Sequence, residues 1–350
     1  MKKTLLITNI IPHYRIELYG LLSKYLDLTI AHTGNIINSS SFKQISIKER
    51  KIGPFIRYQN LPVLKQYDLI FIIGNPRLLN LYELLFKKKY NPPIFIHGMG
   101  VSASRNGRYD NSKLFSKIMK CLINRMDGAI FYDNYPFIKY SALGVNPNKL
   151  FVAQNTVVTD VNFNANEKEY KSILFLGTLY KNKGVDLLLK AYSLNIKKGY
   201  KMPPLNIVGD GIERQALQDL TYNLSLNSIV KFHGEIIDNR ILSDLLKESY
   251  CCVSPNQAGL SVQKTMAYGV PILTKKYPRS GGEVNVIINE INGFFFDGTV
   301  IDLSYKLQKI IDNVDLKKIS NNCMTYYRHF NSPDVWLKGY LSVIDYISKK

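Results

Sequence analysis

Acidic side chains are in short supply in this chain: 27 Asp and Glu stand against 46 Lys and Arg, leaving a formal charge of +19. Such a surplus implies an anionic partner, which can be nucleic acid, phospholipid headgroups or a phosphorylated substrate. No helix-turn-helix, zinc-finger or aromatic RNA-binding signature accompanies the charge, so nucleic acid is set aside. Cysteine is scarcer still. Cys121, Cys251, Cys252 and Cys323 have neither metal-ligand spacing nor the density of a disulfide scaffold, so reduced thiols are expected, two of them inside a buried strand. Long apolar runs are missing too: stretches such as Leu69-Ile-Phe-Ile-Ile73 fall far short of the roughly 20 residues that span a bilayer. Lys2-Lys3 ahead of Leu5-Leu6-Ile7 has the outline of a secretion signal. Thr8, Asn9 and Pro12 cut it short, so a first sheet strand and a cytosolic chain are expected. There is no solenoid-length repeat and no low-complexity tract.

What is present is a regular alternation. The 46% hydrophobic content and the length of 350 residues suit two globular α/β domains. Strands are expected at Thr4–Ile7, Leu28–Ala31, Leu69–Ile73, Ile94–His97, Ala129–Tyr132 and Leu150–Ala153. The pattern restarts with Ile173–Leu176, Leu205–Val208, Val230–His233, Cys251–Ser254, Pro271–Leu273 and Gly293–Phe296. Helical spacing marks Leu18, Leu21, Leu22 and Tyr25, then Val185, Leu188, Leu189 and Tyr192. Pro333 can begin a last helix bearing Trp336, Tyr340, Val343 and Ile347. The polar stretch from Asn155 to Tyr170 reads as the linker. The fold class is therefore α/β, two Rossmann-like doubly wound domains facing across a cleft, with the site expected beyond the strands' carboxyl ends. A helix carrying Lys113, Lys117 and Lys120 opposite Leu114, Phe115, Ile118, Leu122 and Ile123, with Phe86-Lys-Lys-Lys89 in the same half, suits an anionic membrane surface or an ordinary solvated helix face.

Candidate site residues cluster at strand ends. In Phe175-Leu-Gly-Thr-Leu-Tyr-Lys-Asn-Lys-Gly184 a strand meets a loop with Lys181 and Lys183, then a helix start, a setting suited to phosphate oxygens. Val208-Gly-Asp-Gly211, Phe232-His-Gly-Glu-Ile236 and the turn around Gly259 close further strands of the same sheet. These segments resemble, in order and spacing, the retaining nucleotide-sugar glycosyltransferases of the two-Rossmann-domain (GT-B) type, family 4. The resemblance rests on Leu176-Gly177 with Lys183-Gly184, Ile207-Val-Gly-Asp-Gly211, Val230-Lys-Phe-His-Gly234 and Met266-Ala-Tyr-Gly-Val-Pro-Ile272. It implies an acceptor-binding domain over residues 1–160, a nucleotide-sugar-binding domain over 161–325, and a helix over 326–350 that can pack back on the first domain. It also implies that Lys183 binds the donor diphosphate, that Gly234 and Glu235 lie beside the base, and that amides near Gly259 and Leu260 hold phosphate or sugar. Gly177, Gly209 and Ser261 belong to the same donor set.

The chain departs from that family where the family carries two glutamates seven residues apart: Asn256 and Lys264 stand there instead. Thr178 replaces a usual arginine and leaves Lys181 as a substitute phosphate partner. Asn256 can bond a sugar hydroxyl, whereas Lys264 cannot accept from a ribose hydroxyl. Glu283 either supplies the lost acceptor or is an acid at a helix N-terminus. His97, ending the strand in Ile94-Phe-Ile-His-Gly-Met-Gly100, resembles the family histidine near the reacting sugar. His13, Arg15 and Arg105 are assigned to acceptor or diphosphate binding, Asn155 and Thr156 to a hinge. No Asp-x-Asp pair is present, so no metal or other cofactor is expected beyond the nucleotide diphosphate sugar itself, and Lys183 with helix N-termini should neutralise the leaving group. The expected activity is retaining transfer to a hydroxyl of a lipid-linked saccharide at the cytosolic membrane face. A catalytically silent nucleotide-sugar-binding protein is the alternative. A nicotinamide oxidoreductase fits poorly, because Asn9-Ile-Ile-Pro12 ends the first strand where a Gly-x-Gly-x-x-Gly turn is needed.

Overall fold

The computed structural model describes residues 1–38, 41–86, 92–102, 109–159, 167–236, 238–313 and 315–349. It divides into two compact units, one built from Met1–Ser102, Asp110–Val158 and Ser332–Lys350, the other centred on Thr159–Asn331.

In the first unit, strands β1 (Lys3–Ile7), β2 (Asp27–His32), β3 (Lys43–Ser46), β6 (Leu69–Ile73), β7 (Ile94–Gly98), β8 (Gly128–Phe131) and β9 (Leu150–Val152) form one sheet in the order β3-β2-β1-β6-β7-β8-β9. Every neighbouring pair is parallel. Side chains on both faces of such strands are buried, which explains why they read as unbroken Leu, Ile and Phe runs: Leu5, Leu6, Ile7, Leu69, Ile70, Phe71 and Ile72 are all solvent-inaccessible. Helices α1 (Ile16–Ser23), α2 (Leu79–Phe86), α3 (Lys113–Arg125) and α4 (Asn134–Ala142) connect them.

Strands β4 (Lys48–Ile52) and β5 (Phe55–Gln59) form a separate antiparallel hairpin that the hydrophobic pattern does not reveal. All of Lys48-Glu-Arg-Lys-Ile52 is exposed, so no alternation marks it. Tyr58 of β5 is buried in the hydrophobic core, and the buried Asn80 side chain on α2 accepts from Tyr58 N at 2.7 Å and donates to Tyr58 O at 3.1 Å.

The second unit repeats the design with β10 (Ser172–Leu176), β11 (Leu205–Val208), β12 (Val230–Gly234), β13 (Ser249–Ser254), β14 (Ile272–Lys275) and β15 (Gly293–Phe296), ordered β12-β11-β10-β13-β14-β15 and parallel throughout. Its helices are α5 (Val185–Lys197), α6 (Arg214–Asn223), α7 (Asn239–Lys247), α8 (Ser261–Ala267), α9 (Val300–Asn313) and α10 (Leu316–Tyr326). With the hairpin set aside, both sheets follow the doubly wound order in which the first strand sits centrally and the sequence of strands reverses beside it.

The last helix, α11 (Pro333–Ser348), belongs to the first unit. Pro333 occupies its first turn and Ser332 Oγ accepts from Val335 N at 3.4 Å, the preferred chemistry for a helix start. It buries Trp336, Tyr340 and Val343 and packs against α1 and β9. Two expectations need correcting here. Tyr25 lies beyond the end of α1 and is half exposed, because the chain turns after Ser23. Leu114 is on the exposed side of α3, at 68% exposure, and the buried face is instead Ser116, Met119, Leu122 and Ile123.

Candidate donor site and the polar core of the first unit

In the second unit the strand order reverses between β10 and β13, where ligands of doubly wound sheets gather. Beyond β10, Gly177 opens a loop that closes with a 3-10 turn over Lys181–Lys183, and Gly184 starts α5 with φ +73°. Only glycine suits this place. The conformation is left-handed, and a Cβ would lie 2.4 Å from the Asn256 amide nitrogen. Asn256, just past β13, donates its backbone N–H to Lys183 O at 3.3 Å, so the two strand ends are joined at their tips. Lys183 folds back toward Gly177, its Nζ 3.8 Å from where a Cβ on that glycine would be. Burial lowers the Lys183 pKa, and the carboxylate of Glu283 works against that shift. Gly209, past β11, completes the rim: a Cβ there would sit 2.0 Å from Gly177 O, so the two loops touch through bare backbone.

The turn after β13 is held from beneath. Ser254 Oγ donates to Gln257 O at 2.6 Å and Thr274 Oγ1 to Ser254 O at 2.7 Å. Arg279 N donates to Asn256 O at 2.9 Å, and Ala258 N to Arg279 O at 2.9 Å. Gly259 faces open space, and Leu260 gives no side-chain cap to the short helix α8 behind it, on which Ser261 and Lys264 are half-buried. Gly234 is buried with φ +72°, while Glu235, Thr178 and Lys181 are exposed on the same loops. Glu283 sits in a 3-10 turn, where its Oε2 accepts from Gly281 N at 2.7 Å and Ser280 Oγ at 3.1 Å. That carboxylate closes its own loop in the first turn of the short 3-10 helix, in keeping with the reading of an acid at a helix start.

The strand-end residue missed from the sequence is Lys275. Its Nζ donates to Asn256 Oδ1 at 3.2 Å, and burial, then the charge of Arg279, lowers its pKa. Its position closing β14 was the available signal, because β14 is the next strand after β13 on the same rim.

In the first unit the structure places His97 differently from the expectation of a sugar-facing group. It is only 1% exposed, with Nε2 3.3 Å from Ile7 O and Nδ1 3.2 Å from the Tyr132 hydroxyl. Burial, with the charge of Arg15 adding to it, pushes its pKa down to about 4, so the ring is neutral at pH 7. Arg15 is likewise sealed in, at 2% exposure. Its Nη2 donates to Asn155 Oδ1 at 2.6 Å, and the guanidinium lies 4.5 Å from the Tyr132 ring centre and 5.8 Å from that of Trp336. Both residues tie strand ends together and touch no solvent, because the first helix begins directly under α11. His13 is exposed two residues earlier, Thr156 is buried beside Asn155, and Arg105 lies outside the described residues.

In this unit α2 and α3 border an open, largely apolar cavity of about 720 Å³ lined by Tyr82, Leu85, Phe86, Ile118, Cys121 and Leu122, together with Lys117 and Arg125. Phe86 is 89% exposed. Among the described residues, no group of three or more His, Cys, Asp or Glu side chains could hold a metal ion, and no helix is long and apolar enough to cross a membrane.

Two Rossmann-like units of this kind define the GT-B glycosyltransferase fold. Residues 159–327 match the family described as glycosyl transferases group 1. An uncharacterised glycosyltransferase of Haemophilus influenzae is 32% identical over 151 residues, 42% of this chain and 41% of that protein. An uncharacterised 41.2 kDa protein in the cps region of Klebsiella pneumoniae is 26% identical over 254 residues, 68% of this chain and 65% of its own. The chain thus spans about two fifths of the first relative's length and just under two thirds of the second's. The crystal structure of Anabaena HepE in complex with UDP superposes with a TM-score of 0.70 over 99% of this chain and 100% of that one, at 15% identity.

Proposed function

We propose that the chain is a retaining glycosyltransferase that moves a sugar from a nucleotide diphosphate sugar to a hydroxyl of a saccharide acceptor. The observation that carries this reading is the junction of Lys183, Gly184 and Asn256 at the strand reversal of the unit that matches the glycosyl transferases group 1 family. Lysine at that junction is a half-buried cation with a lowered pKa, suited to the β-phosphate oxygens. In the reaction the bond from the anomeric carbon to the β-phosphate oxygen breaks as the bond to the acceptor oxygen forms. The leaving phosphate takes the acceptor's proton on the same face, so configuration is retained. Lys183, Lys181 and the backbone amides at Gly259 and Leu260 disperse the charge of the departing diphosphate, which needs no metal ion. Asn256 holds a sugar hydroxyl. His97 and Arg15 act as positioning residues within the first unit.

The acceptor in this reading is lipid-linked and presented at an anionic membrane. The apolar cavity between α2 and α3, the exposed Phe86 and Leu114, and the flanking Lys113, Lys117, Lys120 and Arg125 support that assignment. The match to a protein of a cps region favours a cell-surface polysaccharide. Lys183→Ala should lower kcat by roughly 10²- to 10³-fold, the usual cost of removing one preorganised leaving-group donor. Steady-state transfer kinetics with a nucleotide sugar check this, and unchanged turnover would remove Lys183 from the mechanism. Binding without transfer in the wild-type protein would instead support the silent binding module, for which the replacement of both expected glutamates by Asn256 and Lys264 is the motive.

A further inference from the structure

The donor rim is cationic on both sides of Asn256. On the β10 side stand Lys181 and Lys183, which the donor reading assigns to the diphosphate. On the β14 side stands Lys275, and the loop after it brings Arg279 back to bond the Asn256 backbone. These two strands flank β13, so Lys275 reaches the Asn256 side chain from the β14 side while Lys183 meets the Asn256 backbone from the β10 side, an offset across β13. That offset is where the transferred sugar sits if Lys183 holds the phosphates and Asn256 the sugar.

Lys275 is half-buried and its Nζ meets only the neutral Asn256 amide oxygen; among the described residues it has no carboxylate partner. Arg279 likewise forms no ion pair among the described residues, and Glu283 is engaged with Gly281 and Ser280. A neutral hexose offers hydroxyls, for which an amide is sufficient. It gives no reason to desolvate an ammonium group beside it, which costs free energy unless a negative charge arrives. The lowered pKa of Lys275 registers its partial burial and then the nearby positive charge of Arg279.

We propose that the sugar transferred by this protein carries a carboxylate, as a hexuronic acid does, and that Lys275 and Arg279 bind it beside Asn256. The inference rests on the donor reading above and narrows its substrate class. The bonds made and broken at the anomeric carbon are unchanged; the carboxylate is a recognition handle that takes no part in the transfer. The charge-assisted contact is made by the donor sugar alone, so it selects among sugars on the same nucleotide.

The test compares dissociation constants within each nucleotide series: UDP-glucuronate and UDP-galacturonate against UDP-glucose and UDP-galactose, and GDP-mannuronate against GDP-mannose. The protein should prefer the uronate by on the order of tenfold in at least one series, the scale of one charge-assisted hydrogen bond. Lys275→Gln should erase that ratio and Lys275→Arg should keep most of it. Taking the ratio within each variant cancels any general loss of binding, and circular dichroism melting confirms that each variant folds. Equal or tighter binding of the neutral sugars, or a ratio untouched by Lys275→Gln, overturns the inference and leaves the transferase reading standing. Failure of the wild-type protein to bind any of these donors overturns both.

Discussion

His97 shows how a side chain can be positioned by sequence and yet given a different task by its surroundings. Its place at the end of β7 was legible, but its two nitrogens are turned to Ile7 O and the Tyr132 hydroxyl. The neutral ring is favoured in the fold, with a pKa near 4 against the ordinary 6.5. A depressed folded pKa gives stability that is complete above the unfolded value and lost as pH falls through the folded one. Stability should therefore decline between pH 6.5 and about 4, with His97 contributing about 3 kcal/mol across that window. Urea melts at several pH values check it. In His97→Gln the acid-side slope should flatten, whereas an unchanged slope would mean that the ring is free to protonate. For Glu283 two roles were open from the sequence, and the bonds from Ser280 and Gly281 to its carboxylate at a 3-10 helix start could not be read there.

Elements were easier to read than side-chain roles. Each strand expected from a Leu, Ile, Val or Phe run is present, because a parallel strand buried on both faces must be apolar along its whole length. The hairpin β4 and β5 escaped for the opposite reason, since β4 is charged and exposed and β5 buries only Tyr58, which Asn80 bonds. Strand β3 escaped too: Lys43-Gln-Ile-Ser46 lies at the sheet edge, where burial does not constrain composition. The junction of β10 and α5 turns on Gly184. Its replacement by alanine should cost about 1–3 kcal/mol from the left-handed backbone alone, and the clash with Asn256 should weaken donor binding as well. Thermal melts paired with nucleotide titration measure both effects. A variant as stable and as tight-binding as the parent would show that Asn256 moves aside freely.

For the molecule as a whole, the two-unit α/β architecture was legible because the strand-helix alternation simply restarts, and a TM-score of 0.70 to HepE agrees with it. What the sequence did not show is the apolar cavity between α2 and α3, since that depends on how two helices lean on one sheet. In the proposed membrane reading, the formal charge of +19 draws the molecule to anionic surfaces, and the apolar groove with Lys117 and Arg125 directs it there. Binding to vesicles with 30% phosphatidylserine should exceed binding to neutral phosphatidylcholine and weaken with salt. Reversing charge at Lys117 and Lys120 should lower it by roughly 10-fold or more, at about 1 kcal/mol per lysine before the added repulsion. Vesicle sedimentation checks this, and equal binding to neutral vesicles would remove the electrostatic part of the account.

The central claim is glycosyl transfer from a donor held at Lys183, Gly184 and Asn256. It is tested most directly by proton NMR of the purified protein mixed with a nucleotide sugar and a saccharide acceptor. The account predicts release of the nucleoside diphosphate together with a product whose anomeric coupling matches the donor's, and loss of both signals in Lys183→Ala. Donor and acceptor left unchanged by the wild-type protein across the UDP and GDP sugars, or a product of inverted configuration, would contradict it.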